Sequence, residues 1–146
     1  MKKIVITSGY FDPIHVGHIE YLRKASELGY HICIVNSDAQ AQQKKGYSFM
    51  TEHDRCEILS QLPFIDEVRM STSKDSTVCD DLRELACKYG DTASLLLFAK
   101  GGDRDVENIP ERSACQELGI AIVVGLGDKI RSSSELVNRA KEHENE

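Results

Sequence analysis

The sequence has no apolar run approaching the ~18 residues that a membrane-spanning helix requires. After Met1-Lys2-Lys3, the stretch Ile4-Val5-Ile6-Thr7 stops at Ser8-Gly9, which is too short for the core of a secretory signal. A cytoplasmic protein with no membrane partner is expected. Paired cysteines are also lacking. Cys33, Cys56, Cys79, Cys87 and Cys115 are odd in number and widely spaced, with no C-x-x-C. Reduced, mostly structural thiols are expected, and no zinc site. Basic excess is missing too: 18 Lys and Arg face 24 Asp and Glu, for a net charge of −6. That balance argues against a nucleic-acid partner. Two nucleotide signatures are absent: no G-x-G-x-x-G follows the first apolar run, and no G-x-x-x-x-G-K-[ST] occurs. A dinucleotide-dependent oxidoreductase and a P-loop ATPase are thereby disfavoured.

What remains is an alternation of short β-branched runs and helical patterns over 146 residues, the size of one domain. Strands are expected at Lys3–Thr7, His31–Val35, Glu67–Met70, Ser94–Phe98 and Ala121–Val124. Gly17–Leu28 has apolar residues at helical spacing and stops at Gly29. Thr51-Glu52-His53-Asp54 has the form of a capping box and opens a helix to about Gln61. Further helices are expected at Asp80–Tyr89, Pro110–Leu118 and Ser134–His143. This order implies an α/β fold: a five-stranded parallel sheet with helices on both faces. Ligands of such sheets bind outside the carboxyl ends of the strands. The loops Ser8–Val16, Asn36–Met50, Ala99–Ile109 and Gly125–Ser133 are therefore the ones to read for chemistry.

The first of these holds His15-Val16-Gly17-His18 at the start of a helix. A helix N-terminus offers unpaired N–H groups and a partial positive charge, so it suits an anion. Gly17 lets a phosphate approach the backbone. His15 and His18, three apart, can face one point and donate to phosphate oxygens. His31, His53 and His143 read as structural or surface residues.

Gly9-Tyr10-Phe11-Asp12 through His15-Val16-Gly17-His18 resembles the nucleotidyltransferase superfamily with the H-x-G-H signature. That superfamily includes glycerol-3-phosphate cytidylyltransferase, phosphopantetheine adenylyltransferase and the heptose-phosphate adenylyltransferases. The resemblance covers nearly the whole chain and implies a Rossmann-like fold. It extends to Asn36-Ser37-Asp38, to Lys44-Lys45 read as part of a lysine-rich loop, to Arg55, to the turn Gly101-Gly102-Asp103, and to Arg131-Ser132-Ser133-Ser134. Three departures stand out. Tyr10 replaces the usual Thr, Arg104 follows the turn in place of Trp, and Lys129-Ile130-Arg131 replaces the cytidylyltransferase R-T-x-G lead into the serines.

The resemblance implies transfer of a nucleotidyl group from CTP, or alternatively ATP, to a small phosphorylated acceptor, with Mg2+ and release of pyrophosphate. The acceptor is a polyol or sugar phosphate or a phosphonate. His15, His18, Lys44 and Arg131 are the expected catalytic residues. Ser8, Gly9, Tyr10, Phe11, His15, Gly17, His18, Gly101, Asp103, Arg104, Arg131, Ser132, Ser133 and Ser134 are the expected nucleotide contacts. Asp12, Asp38, Lys44, Lys45 and Arg55 are expected at the acceptor. Asp12 equally fits the cap of a turn, Asp38 equally fits the cap of a helix, and Arg55 can pair with Glu52. No protein side chain is expected to bind the metal. A homodimer is expected from the resemblance alone. The rival of another class is a nucleotide-binding sensor without turnover.

Overall fold

A computed structural model of the protein describes residues 2–91, 93–101 and 108–126. Lys2–Gly9 (β1), Tyr30–Val35 (β2), Glu67–Met70 (β3), Ala93–Gly101 (β4) and Ala121–Leu126 (β5) form one sheet. Every pairing is parallel, and the strand order is β3-β2-β1-β4-β5. The helices are Val16–Ser26 (α1), Asp38–Lys45 (α2), Glu52–Ser60 (α3), Cys79–Tyr89 (α4) and Arg112–Leu118 (α5). The expected last helix, Ser134–His143, lies outside the described residues.

Alternation along the strands divides the core into two layers, because successive strand side chains point to opposite faces. Ile4, Ile6, Ile32, Ile34, Leu96 and Phe98 pack with Leu82 and Leu85 of α4 and Cys115 of α5. Val5, Cys33, Val35, Leu97 and Ala99 pack with Leu22 and Ala25 of α1 and Leu59 of α3. β1 and β2 are covered on both faces, which explains their unbroken apolar runs. Each large side chain buried in this way contributes about 1.5–3 kcal/mol. The turn from α1 into β2 needs a glycine: a Cβ on Gly29 would meet the Lys3 carbonyl oxygen at 2.4 Å.

His31 is fully buried in β2, as a structural histidine should be. Its Nδ1 lies 3.0 Å from the Phe64 carbonyl and its Nε2 lies 2.8 Å from Thr7 Oγ1. A carbonyl only accepts, so the proton sits on Nδ1 and Thr7 donates to Nε2.

Two expectations are corrected. Asn36–Met50 was expected as a loop, yet α2 occupies its middle. Ser37 is the N-cap, and its side chain accepts from Gln40 N while the Gln40 side chain accepts from Ser37 N. Gly46, at φ +81°, ends the helix in the left-handed region. Asp38 is therefore the first helical residue and not the cap. In α5, Pro110 and Glu111 form the turn before the helix, which starts at Arg112. The Thr51 cap holds as expected, with its side chain accepting from Asp54 N.

The strand order reverses between β1 and β4. The chain runs from β1 through β2 to β3 on one side, then crosses to β4 and β5 on the other. The carboxyl ends of β1 and β4 therefore border the crevice where ligands of this architecture bind.

Candidate active site

β1 delivers the chain into a tight bend before α1. Phe11 takes φ 53° and Asp12-Pro13 is cis. Phe11 is buried, and its ring meets the edge of His18 with centroids 5.0 Å apart. His15 is the N-cap of α1 in extended conformation. Its Nδ1 accepts from Gly17 N at 3.1 Å, and His18 Nδ1 accepts from His15 N at 3.2 Å. The two rings stack, 3.7 Å apart at 21°.

This reciprocal cap fixes the chemistry of both imidazoles. Each Nδ1 accepts a backbone N–H and cannot carry a proton, so each neutral ring has its proton on Nε2. Two Nε2–H donors thus stand at a helix N-terminus whose dipole favours an anion. Burial, and after it the neighbouring His15, pushes the His18 pKa down to about 3. His18 is therefore a neutral donor at pH 7 and not an acid. Nitrogen-15 NMR should find His18 neutral, in the Nε2–H form, at pH 5. An imidazolium there would contradict this reading.

The same shift has a consequence for stability. An unfolded His18 takes up a proton near pH 6.5, while the folded one does so only near 3. The folded state is therefore favoured fully above pH 6.5 and progressively less as pH falls from there towards 3. His31 acts in the same direction, its pKa lowered by burial against the opposing Phe64 bond and Asp66 charge.

At the switch point the Tyr21 hydroxyl of α1 donates to the Ala99 carbonyl and accepts from Ser8 N at 3.4 Å. One side chain thus ties the ends of β1 and β4 together. Gly101 closes β4 against it: a Cβ there would lie 3.1 Å from the Tyr21 ring and 3.2 Å from the Leu126 carbonyl oxygen. Lys100 Nζ lies 3.3 Å from Ser8 Oγ and 5.0 Å from the centre of the Phe98 ring. Reading the sequence missed this cation at the crevice. Its place at the end of an apolar strand, directly before Gly101, was the available signal.

The expected acceptor residues separate into two groups. Lys44 and Lys45, in the last turn of α2, place Nζ 5.2 and 5.3 Å from the centre of the Tyr10 ring. Lys45 also reaches Asp12 at 3.1 Å. Asp12 and Arg55, by contrast, stand behind this surface. Asp12 is 1% exposed and accepts from the backbone N–H groups of Phe49 and Met50 as well as from Lys45. Arg55 is also 1% exposed. It donates to the carbonyls of Met50, Tyr10 and Asn36 at 3.0, 2.7 and 2.6 Å and to Asp38 Oδ1 at 2.8 Å.

Arg55 thus fastens together the ends of β1 and β2 and the segment leading into α3; it pairs with Asp38, not Glu52. Asp38 also accepts from Ser48 Oγ at 2.8 Å. Burial raises the Asp38 pKa, but the bonds from Ser48 and Arg55 outweigh it and hold the carboxyl below its ordinary range. Asp103, Arg104, Arg131, Ser132, Ser133 and Ser134 lie outside the described residues, as does Gly102. Among the described residues, no cluster of three His, Cys, Asp or Glu side chains is placed to hold a metal ion, and no helix is long and apolar enough to cross a membrane.

A parallel sheet with a switch-point crevice, two histidines at a helix N-terminus and lysines on the neighbouring α2 suit a phosphate-bearing ligand. Residues 6–137 match the family model described as cytidylyltransferase-like. The chain belongs to that family and is a nucleotidyltransferase domain. It is 32% identical to the bifunctional protein HldE of Syntrophotalea carbinolica over 94% of this chain and 27% of that protein. It is 33% identical to the bifunctional protein HldE of Citrifermentans bemidjiense over 81% of this chain and 23% of that protein. The chain thus spans about a quarter of the length of these curated relatives. The fold is shared with a lipopolysaccharide core biosynthesis protein from Thermoplasma volcanium, with a TM-score of 0.67 and 21% identity, over 86% of this chain and 95% of that one.

Proposed function

We propose that the chain joins the α-phosphate of ATP to a phosphorylated sugar or polyol and releases pyrophosphate. The observation that supports this most is the reciprocal histidine cap of α1, which occupies both Nδ1 atoms with backbone N–H groups and so leaves the ring protons on Nε2 at a helix N-terminus. An acceptor phosphate is already ionised near pH 7, so the attack needs no general base. What the reaction requires is in-line placement and relief of the charge that builds up in the transition state. His18 donates to the α-phosphate as its geometry changes, and His15 donates to the oxygen bridging to the leaving group. Lys44 and Lys45 hold the acceptor phosphate. Arg131, Ser132 and Ser133 are assigned to the β- and γ-phosphates on the resemblance of their motif. Magnesium bound to the triphosphate would offset the charge of the departing pyrophosphate.

The choice of base rests on two motifs. Gly101-Gly102-Asp103 and the triple serine resemble the adenylyltransferases of the superfamily. The likeness to the small cytidylyltransferases rested on a lysine-rich loop and on the chain length, and Lys44 and Lys45 stand instead on a capped helix. CTP remains the second reading, favoured by the description of the matching family model. The test offers magnesium with ATP, CTP, GTP or UTP and a pool of phosphate esters and phosphonates, with pyrophosphate followed. Release with ATP alone supports the proposal. Release with CTP alone establishes the second reading, and tight triphosphate binding without release establishes a sensor.

A further inference from the structure

α2 carries Lys44 and Lys45 but has little apolar surface to hold it, and its buried residues are Gln40 and Ala41. A helix of eight residues does not persist in water on propensity alone. Side-chain bonds set its place. Gln40, 1% exposed, uses both the oxygen and the nitrogen of its amide. Oε1 accepts from Ser37 N at 2.8 Å and from Asn36 Nδ2 at 3.1 Å. Nε2 donates to the Asp75 and Thr77 carbonyls at 2.8 and 2.9 Å. Gln43 adds a bond from Nε2 to the Lys74 carbonyl at 2.9 Å. Those carbonyls sit in a turn that is itself closed, because Asp75 Oδ1 accepts from Thr77 N and Oγ1 at 3.0 and 2.6 Å.

The two ends of the Gln40 amide have separate tasks. A capping box needs only the oxygen, and glutamate supplies it as well as glutamine. The nitrogen is needed for the second task alone, since a carboxylate would face two carbonyls with no proton to give. The glutamine therefore answers to segment 74–77 and not to the cap. Lys44 stands one turn beyond it, exposed, with Nζ 5.2 Å from the centre of the Tyr10 ring. Lys45 has an anchor of its own in Asp12. The reach of Lys44 depends on where α2 lies, and small misplacements of a binding group are costly.

We infer that Gln40 is a positioning residue: by docking α2 on segment 74–77, it sets where the Lys44 ammonium meets the acceptor phosphate. The inference rests on the reading of Lys44 given under the proposed function.

The test compares the full chain with its Gln40→Glu, Gln43→Ala and Lys44→Met variants, and with the two doubles that join each glutamine change to Lys44→Met. Two readouts are taken. One is the Kd for inorganic phosphate by NMR titration. The other is KM and kcat for glycerol 3-phosphate and glucose 1-phosphate in pyrophosphate release with ATP or CTP. Gln40→Glu keeps the cap and loses the dock. It should weaken phosphate binding and raise the acceptor KM roughly tenfold, with kcat within about twofold. Gln43→Ala changes an exposed side chain outside the cap, should fold normally, and should give about two- to fivefold. On the Lys44→Met background both changes should add less than about twofold, because the charge they position is gone.

If the wild type releases no pyrophosphate with either ester, that counts against the transferase reading, and the phosphate Kd judges the inference by itself. An unchanged Kd in both glutamine variants overturns it. So does an equal loss with and without Lys44, which would make Gln40 a stability residue only. No phosphate binding by the wild type, or binding that Lys44→Met leaves intact, overturns it as well. Should Gln40→Glu fail to fold, Gln43→Ala and its double decide by the same comparison.

Discussion

His18→Ala is expected to lower turnover by about 10²–10³, the usual effect of removing one preorganised donor from a developing negative charge. The substitution removes two things at once. It deletes the Nε2–H proposed to meet the α-phosphate, and it deletes the Nδ1 that accepts from His15 N. The second loss frays the start of α1 and lowers stability by about 0.5–2 kcal/mol, as for other caps.

His18→Asn separates the two. An asparagine oxygen falls near the place of Nδ1 and can restore the cap, but no donor reaches the place of Nε2. The Asn variant should therefore regain most of the melting temperature lost in the Ala variant while its turnover stays low. Recovery of turnover along with stability would show that His18 serves only as a cap. Steady-state pyrophosphate release and thermal unfolding of both variants decide the matter.

Arg55→Met is expected to lower folding stability by about 3–5 kcal/mol, the range for breaking a buried charge network by removing one partner. The guanidinium serves three backbone carbonyls and the Asp38 carboxylate. With native stabilities of about 5–15 kcal/mol, this loss should be plain in the urea midpoint. Arg55→Lys should fail almost as badly, because a single ammonium cannot present the planar fork that reaches four oxygens. A loss below about 1 kcal/mol in Arg55→Met would contradict the fastening role. It would also return Arg55 to the group of residues available to an acceptor.

Arg55 also shows where a sequence stops being informative. Its type and place suggested a cation for the acceptor. Its actual partners are Tyr10, Asn36, Met50 and Asp38, and only the folded chain brings Tyr10, Asn36 and Asp38 to it. Asp12 is similar, since the backbone groups it binds, Phe49 and Met50, are more than thirty residues away. The histidine pair at the start of α1 was legible because it is local, whereas its reciprocal cap emerged only from the folded backbone.

The sheet was legible because β1, β2 and β4 are covered on both faces, which writes an apolar run directly into the chain. α2 was missed for the opposite reason. Its only apolar residues are Ala39 and Ala41, so it carries almost no hydrophobic period. It is held by caps and by Gln40, whose amide nitrogen donates to the carbonyls of Asp75 and Thr77 at 2.8 and 2.9 Å. The Ser37-x-x-Gln40 capping box and the stop at Gly46 were the signals present in the sequence. Lys100 carries only the weak signal of its place at a strand end, and Glu111 carries none. Their partners Ser8 and Val78 are brought near by the fold.

Which phosphorus is attacked separates nucleotidyl from phosphoryl transfer, and labelled triphosphate reads that directly. The chain is incubated with magnesium, the acceptor pool and ATP or CTP labelled in separate experiments at the α- or the γ-phosphate. Nucleotidyl transfer predicts that the α-label appears in a new product linked to the acceptor and that the γ-label leaves as pyrophosphate. Appearance of the γ-label on the acceptor, with a nucleoside diphosphate left behind, would mean phosphoryl transfer and would contradict the account.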